Sequence, residues 1–180
     1  MSDPVETSGI IRAATREDIP TIQRIGVEAD SRYREVGHPE LDDKTEMPEA
    51  VALQAIASSN LWVAEVDLGD TREIIGWAYT GRLGIEFCLG QISVATHAGR
   101  RGAGTALLEH VIGVARAAGE PSIVLNTQGD VPWCAAWYAK HGFTVVPESK
   151  WSPALAKVVA DQTAAGLDWS KRVHMRLYIV

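Results

Sequence analysis

Leu107, Leu108, Val111, Ile112 and Ala115 recur at helical spacing, and that stripe constrains the fold of this chain more than any other feature. A helix with one apolar face must bury it against a second layer. The pattern predicts a helix from Gly102 to Ala118, ended by Gly119. Before it, Glu86 to Ala95 reads as a strand, and after it Ser122 to Asn126 reads as another.

The rest of the chain extends this alternation. Ile10 to Ala14 reads as a first strand, and Thr15 followed by Asp18 marks a helix start that runs to about Asp30. Tyr33 to Met47 is polar and reads as a loop, after which Pro48 opens a helix from Glu49 to Ser58. Leu61 to Val66 and Ile74 to Gly81 are strand-like, with Gly69-Asp70 as the turn between them. Pro132 opens a short helix through Lys140, and Phe143 to Val146 reads as a strand. Ser152-Pro153 starts a helix to about Ala165, and Arg172 to Val180 closes the chain as a strand. The order β-α-α-β-β-β-α-β-α-β-α-β predicts an α/β (α+β) class fold in one domain over residues 1–180, a mixed sheet of about seven strands flanked by helices. Residues 1–9 are expected to be a flexible tail, and 147–171 a helical insertion before the last strand.

Composition narrows the function. A net charge of −6 argues against nucleic acid as a partner, because phosphate contacts need a basic surface. No signal-peptide pattern and no membrane-length apolar run is present, so a cytoplasmic protein is expected, without a membrane partner. Cys88 and Cys134 are expected to be reduced, and no metal-ligand spacing occurs.

The chemistry concentrates in two segments. Gln91 to Leu108 reads QISVATHAGRRGAGTALL, a strand end, a loop with three glycines and two arginines, and a helix start. Helix N-termini present unpaired N–H groups and a partial positive charge. Gly99, Gly102 and Gly104 admit a close backbone approach, and Arg100 and Arg101 add charge, which together suit a diphosphate. Taken alone, the segment equally fits an ordinary glycine-rich connection. It lacks the Lys of a P-loop, and Gly102 to Leu107 fails the dinucleotide fingerprint at its last glycine. The second segment, Cys134 to Val146, carries Tyr138 on a short helix that stops at Gly142.

Together these segments resemble the GNAT N-acetyltransferase superfamily. Gly102 and Gly104 match the end of its Q/R-x-x-G-x-G/A loop, with Gly99 in place of Gln or Arg. Tyr138, Gly142 and Phe143 match its A-x-x-x-Y-x-x-x-G-F segment, with Cys134 at the small position. The resemblance implies an enzyme that moves an acetyl group from acetyl-CoA to a primary amine of a small molecule or peptide, by direct attack in a ternary complex. A non-catalytic acyl-CoA-binding module is the alternative. It further implies that the strand Gln91 to Val94 ends in a bulge and splays from the strand ending at Asn126. The backbone of Ile92 and Val94 would then pair with the pantetheine arm. The amides from Gly99 through Arg100, Arg101, Gly102, Ala103 and Gly104 to Thr105 would hold the diphosphate. Asn126 is implied as a second contact to the arm, and as readily as an ordinary strand-end Asn. Tyr138 would lie against the coenzyme and protonate the departing thiolate, since a phenol with a pKa of about 10 keeps its proton at neutral pH.

The base is less legible. Glu86 shares a strand face with Cys88, Gly90 and Ile92, and is the carboxylate placed to act from the far end, through water. Gln91 is expected to orient a water or substrate. In this superfamily the first two helices select the acceptor, which points to Tyr33, His38, Asp42 and Asp43. The insertion is expected either to wall the active site, to form a homodimer contact, or to decorate its own subunit.

Overall fold

The computed structural model describes residues 9–42 and 46–179. Asp43 and residues 1–8 of the expected tail lie outside the described residues, and Gly9 already pairs with Val66 as the first residue of a strand. In chain order the elements are β1 (Gly9–Ala13), α1 (Ile19–Ser31), α2 (Glu49–Ala57), β2 (Leu61–Asp67), β3 (Arg72–Leu83), β4 (Glu86–Val94), α3 (Ala103–Ala117), β5 (Ser122–Gln128), α4 (Ala135–Lys140), β6 (Thr144–Val145), α5 (Pro153–Ala164) and β7 (Arg172–Tyr178). This is the element order expected from the sequence. The strands form a mixed sheet in the order β1-β2-β3-β4-β5-β7-β6, in which β4 and β5 are parallel. No helix among the described residues is long and apolar enough to cross a membrane.

The chain forms two compact units, whose boundaries fall inside β3, β4 and α3. The first comprises residues 1–80 and 91–111. Its core gathers Ile22 and Ile25 of α1, Ala52 and Ala55 of α2, and Leu61, Val63 and Trp77 of the strands. Gly26 matters to this packing, since a Cβ there would sit 3.2 Å from the Trp77 ring. Before α1 the chain makes a single 3-10 turn, Arg16–Asp18, and the Asp18 carboxylate accepts the Thr15 N–H at 2.7 Å. Arg12 of β1 pairs with that same carboxylate at 2.7 Å and with buried Glu65 of β2 at 2.8 Å. Each charge buried here has a partner, as burial requires.

The second unit comprises residues 81–90 and 112–180. β5 pairs with β7 along its full length, from Ser122↔Tyr178 to Gln128↔Arg172. Leu83, Val124 and Leu155 form its apolar cluster, with Cys88, Trp151, Val158, Val159 and Trp169 packed around them. Segment 147–171 therefore buries its apolar side within its own subunit. Ser152 caps α5 by accepting the Leu155 N–H at 3.2 Å, and the Trp151 indole donates to the Val146 carbonyl at 3.1 Å.

Boundaries shifted where backbone turns and burial overrode local propensity. The polar stretch after α1 is no open loop, because it winds two 3-10 turns, Arg32–Val36 and Pro39–Leu41. The helix expected from Pro132 begins at Ala135, because Cys134 closes a turn onto the Val131 carbonyl at 3.0 Å. The strand expected over Phe143 to Val146 shortens to Thr144–Val145, with Phe143 drawn into the core at 2% exposure.

Candidate active site

The strand end and the loop lie in the first unit. Gly76 of β3 lets β4 pack closely, for a Cβ there would meet the Ser93 carbonyl at 2.9 Å. Ile92 and Val94 are half-buried on β4, and Gln91 donates to the hydroxyl of buried Ser93 at 3.0 Å. A 3-10 turn, Thr96–Ala98, then leads to Gly99. Gly99 has φ −59°, which any residue adopts, so its expected conformational freedom is not used. The left-handed positions are instead Arg100 at φ 62° and Gly102 at φ 87°. Arginine rarely takes this conformation, and such outliers concentrate at functional sites. A Cβ on Gly102 would meet no atom within 4 Å, so the glycine answers to the backbone angle and not to crowding by the protein.

α3 begins immediately after this loop. Its first intrahelical bond runs from the Ala106 N–H to the Gly102 carbonyl at 2.9 Å. By helix geometry the N–H groups of Ala103, Gly104 and Thr105 lack intrahelical acceptors. Arg100 and Arg101 are exposed and pair with no described residue. Alternating left-handed backbone, a helix N-terminus and two unengaged guanidinium groups suit a ligand with several anionic oxygens.

Tyr138, Asn126 and Glu86 lie in the second unit. Tyr138 is half-buried on α4, edge-on to Trp137 at 4.9 Å and Phe143 at 5.6 Å. Desolvation raises its phenol above the ordinary value, with Cys134 adding to the effect, so the group holds its proton at neutral pH. Asn126 stands near the end of β5, opposite His174 of β7. Its Oδ1 lies 2.7 Å from His174 Nδ1, so that nitrogen carries the proton and donates. His174 is 2% exposed, and burial pushes its pKa down to about 4; nearby Glu86 opposes the shift and Arg176 adds to it. The sequence held no pattern to single out His174, because only strand pairing brings it to Asn126.

Glu86 opens β4, and its Oε1 is ion-paired with Arg176. Its Oε2 is buried and has no partner. Cys88 follows on the same face, its thiol pushed up to about 11 by burial and by Glu86. It is therefore no thiolate at neutral pH. The ladder between β4 and β5 comprises Phe87↔Ile123 and Cys88↔Val124, after which each strand runs on without further pairing to the other.

The residues assigned to the acceptor are occupied by local structure. The Tyr33 carbonyl accepts the His38 N–H at 3.0 Å. His38 is buried, with Nδ1 2.9 Å from Glu40. Asp42 is buried against Arg34 at 2.9 Å, so its charge is compensated.

Residues 57–145 match the family model described as an acetyltransferase (GNAT) domain. The whole architecture is similar to that of solved GNAT structures. Ard1 from Thermoplasma volcanium is 18% identical with a TM-score of 0.64, over 96% of this chain and 99% of that one. The PaiA N-acetyltransferase from Thermoplasma acidophilum, solved in complex with coenzyme A, is 15% identical with a TM-score of 0.68, over 95% and 99%. The ribosomal-protein-S18-alanine N-acetyltransferase from Escherichia coli is 18% identical with a TM-score of 0.64, over 95% and 94%. At these identities the likeness is one of fold.

Proposed function

We propose that this protein is an N-acetyltransferase that moves an acetyl group from acetyl-CoA to a primary amine of a small molecule or peptide. The observation that carries the reading is the left-handed pair Arg100 and Gly102 at the mouth of α3, a backbone arrangement suited to a diphosphate. The amides from Gly99 to Thr105 grip that diphosphate, while Arg100 and Arg101 neutralise it. The backbone of Ile92 and Val94 takes the pantetheine amides, and the Asn126 side-chain N–H group, its oxygen already engaged by His174, donates to the same arm.

An alkyl ammonium has a pKa of about 10.4, so the acceptor must lose a proton before it attacks. In this reading the amine nitrogen bonds to the thioester carbon, the C–S bond breaks, and Tyr138 gives the sulfur its proton. The raised phenol suits Tyr138 to remain protonated until a thiolate forms. The ammonium's first proton leaves through water before attack, and the second, lost from nitrogen as the amide forms, returns through water to the Tyr138 phenolate. Glu86 is half-committed to Arg176, and its unpartnered Oε2 is the carboxylate oxygen assigned to that water. Gln91 orients water from β4, and Tyr33 and His38 belong to the segment assigned to the acceptor.

The Arg176 pairing also motivates the second reading, a binding module for acyl-CoA without turnover. Thiol release from acetyl-CoA across a panel of amines separates the two. For an enzyme, Tyr138→Phe should lower kcat by about 100-fold or more, the scale of lost general acid catalysis, with coenzyme affinity nearly unchanged. Unchanged turnover in that variant would remove Tyr138 from the mechanism, and no thiol release with any amine would favour the binding module.

A further inference from the structure

Thr96 is the first residue after β4 and its neighbouring Ala95, and it opens the turn that leads into the loop. Its backbone N–H donates to Glu28 Oε1 at 2.8 Å, and its hydroxyl donates to the same oxygen. Glu28 lies in α1, 68 positions earlier. Its side chain is 29% exposed, and its other oxygen meets Arg24 at 3.5 Å. The turn is otherwise held by backbone, with Ala95 donating to the Ile75 carbonyl at 2.9 Å and Gly99 donating to the Thr96 carbonyl at 3.2 Å. His97 adds an exposed contact to Glu73 at 3.0 Å, of the kind that contributes little.

Beyond this turn stands Arg100 at φ 62°. A non-glycine residue held there costs on the order of 1–3 kcal/mol and persists only where its surroundings over-determine it. Hydrogen bonds to an ionised carboxylate are among the stronger ones available to fix such a segment. Two of them converge on one oxygen of Glu28, next to the point where the backbone leaves the sheet for the loop. α1 also continues directly into the turn Arg32–Val36, which carries Tyr33.

We propose that Glu28 is a positioning residue for the coenzyme loop, acting through Thr96 to hold the amides from Gly99 to Thr105 in their diphosphate-binding arrangement. The proposal rests on the reading of that loop as the acetyl-CoA grip. Glu28 does not touch the ligand. It sets the orientation of the segment that does, and it ties that segment to the helix leading into the acceptor-side turns. Its removal therefore weakens coenzyme binding more than it slows the chemical step.

Calorimetry with free coenzyme A and steady-state kinetics with acetyl-CoA test this on the full chain. Wild-type protein must bind first; no binding would defeat the loop reading itself, and with it this proposal. Given wild-type binding, Glu28→Ala should raise the Kd and KM for the coenzyme by about 10-fold, with kcat within about 3-fold. Glu28→Gln keeps an acceptor oxygen for Thr96 and should restore affinity to within about 3-fold of wild type. An unchanged Kd in Glu28→Ala overturns the proposal. So does a Gln variant with normal affinity and a kcat as low as that of the Ala variant, since that pattern belongs to a proton-transfer group. Should Glu28→Ala fail to fold, Thr96→Ala removes only the hydroxyl contact. It should still raise Kd measurably at an unchanged melting temperature, and an unchanged Kd there also refutes the role.

Discussion

Two connections in this molecule use their sequence in opposite ways. The one after β4, from Thr96 to Thr105, buries little and exposes backbone: two left-handed residues, two unengaged arginines and a helix N-terminus. The one before β7, residues 147–171, exposes a polar side and spends its apolar residues on the sheet, with Leu155 completely buried. The first holds a conformation that costs stability, the second adds stability. Such a division is expected where one segment binds a ligand and the other closes the core. It also explains why the loop needs outside ties such as Glu28, while α5 is held by its own cap and packing.

The contrast breaks first at Leu155. Leu155→Ala should cost about 2–5 kcal/mol, read as a lower denaturation midpoint, while the coenzyme affinity of the folded fraction stays near that of wild type. If affinity fell in parallel, the two connections would not be separable. At Gly102 the prediction reverses. Gly102→Val places a β-branched residue at φ 87° and should cost on the order of 1–3 kcal/mol. It should also abolish coenzyme binding in calorimetry, even under conditions where the protein is still folded.

Acid sharpens the comparison further. His174 on β7 is held neutral, below its ordinary value, so the unfolded chain takes up a proton that the folded one refuses. Stability in the second unit should be complete above about pH 6.5 and decline as the pH falls toward about 4. A His174→Gln variant should show a flatter melting profile over that range. The Glu28 carboxyl is lowered from its ordinary value of 4.5, chiefly by the Thr96 hydroxyl and, after an opposing desolvation, by the Thr96 amide. Its contribution is therefore full above that value and lost only in stronger acid, so coenzyme affinity should show no inflection from Glu28 between pH 5 and 8. The smallest effect is expected for Arg100→Gly. It relieves the left-handed strain while loosening the unfolded chain, so stability should stay within about 1 kcal/mol of wild type. Coenzyme affinity should drop with the lost charge, and the dependence of affinity on salt should weaken.

Much of the fold was legible beforehand because its helices carry apolar stripes between caps and glycines. The stripe of α3 and the Ser152 cap of α5 both stand where the sequence put them. The loop was legible as a pattern of glycines and arginines, though the left-handed residues are Arg100 and Gly102, while Gly99, grouped with Gly102 and Gly104 in the sequence, has an ordinary backbone angle. Local composition cannot show that, because the choice is made by the strand end and turn feeding the loop. The acceptor residues were the least legible. The resemblance pointed to Asp42 as an acceptor-side residue, yet Arg34 compensates its charge once the polar stretch winds into 3-10 turns.

The sequence by itself determined the element order, the amphipathic helices and the loop with its two basic side chains, because these depend on neighbours within a few residues. Only the tertiary structure decided the pairing of His174 with Asn126, of Arg176 with Glu86, and of Glu28 with Thr96. Each joins residues at least 48 positions apart. Whether a buried polar group finds its partner is settled by strand register and helix docking, and no periodicity along the chain encodes it.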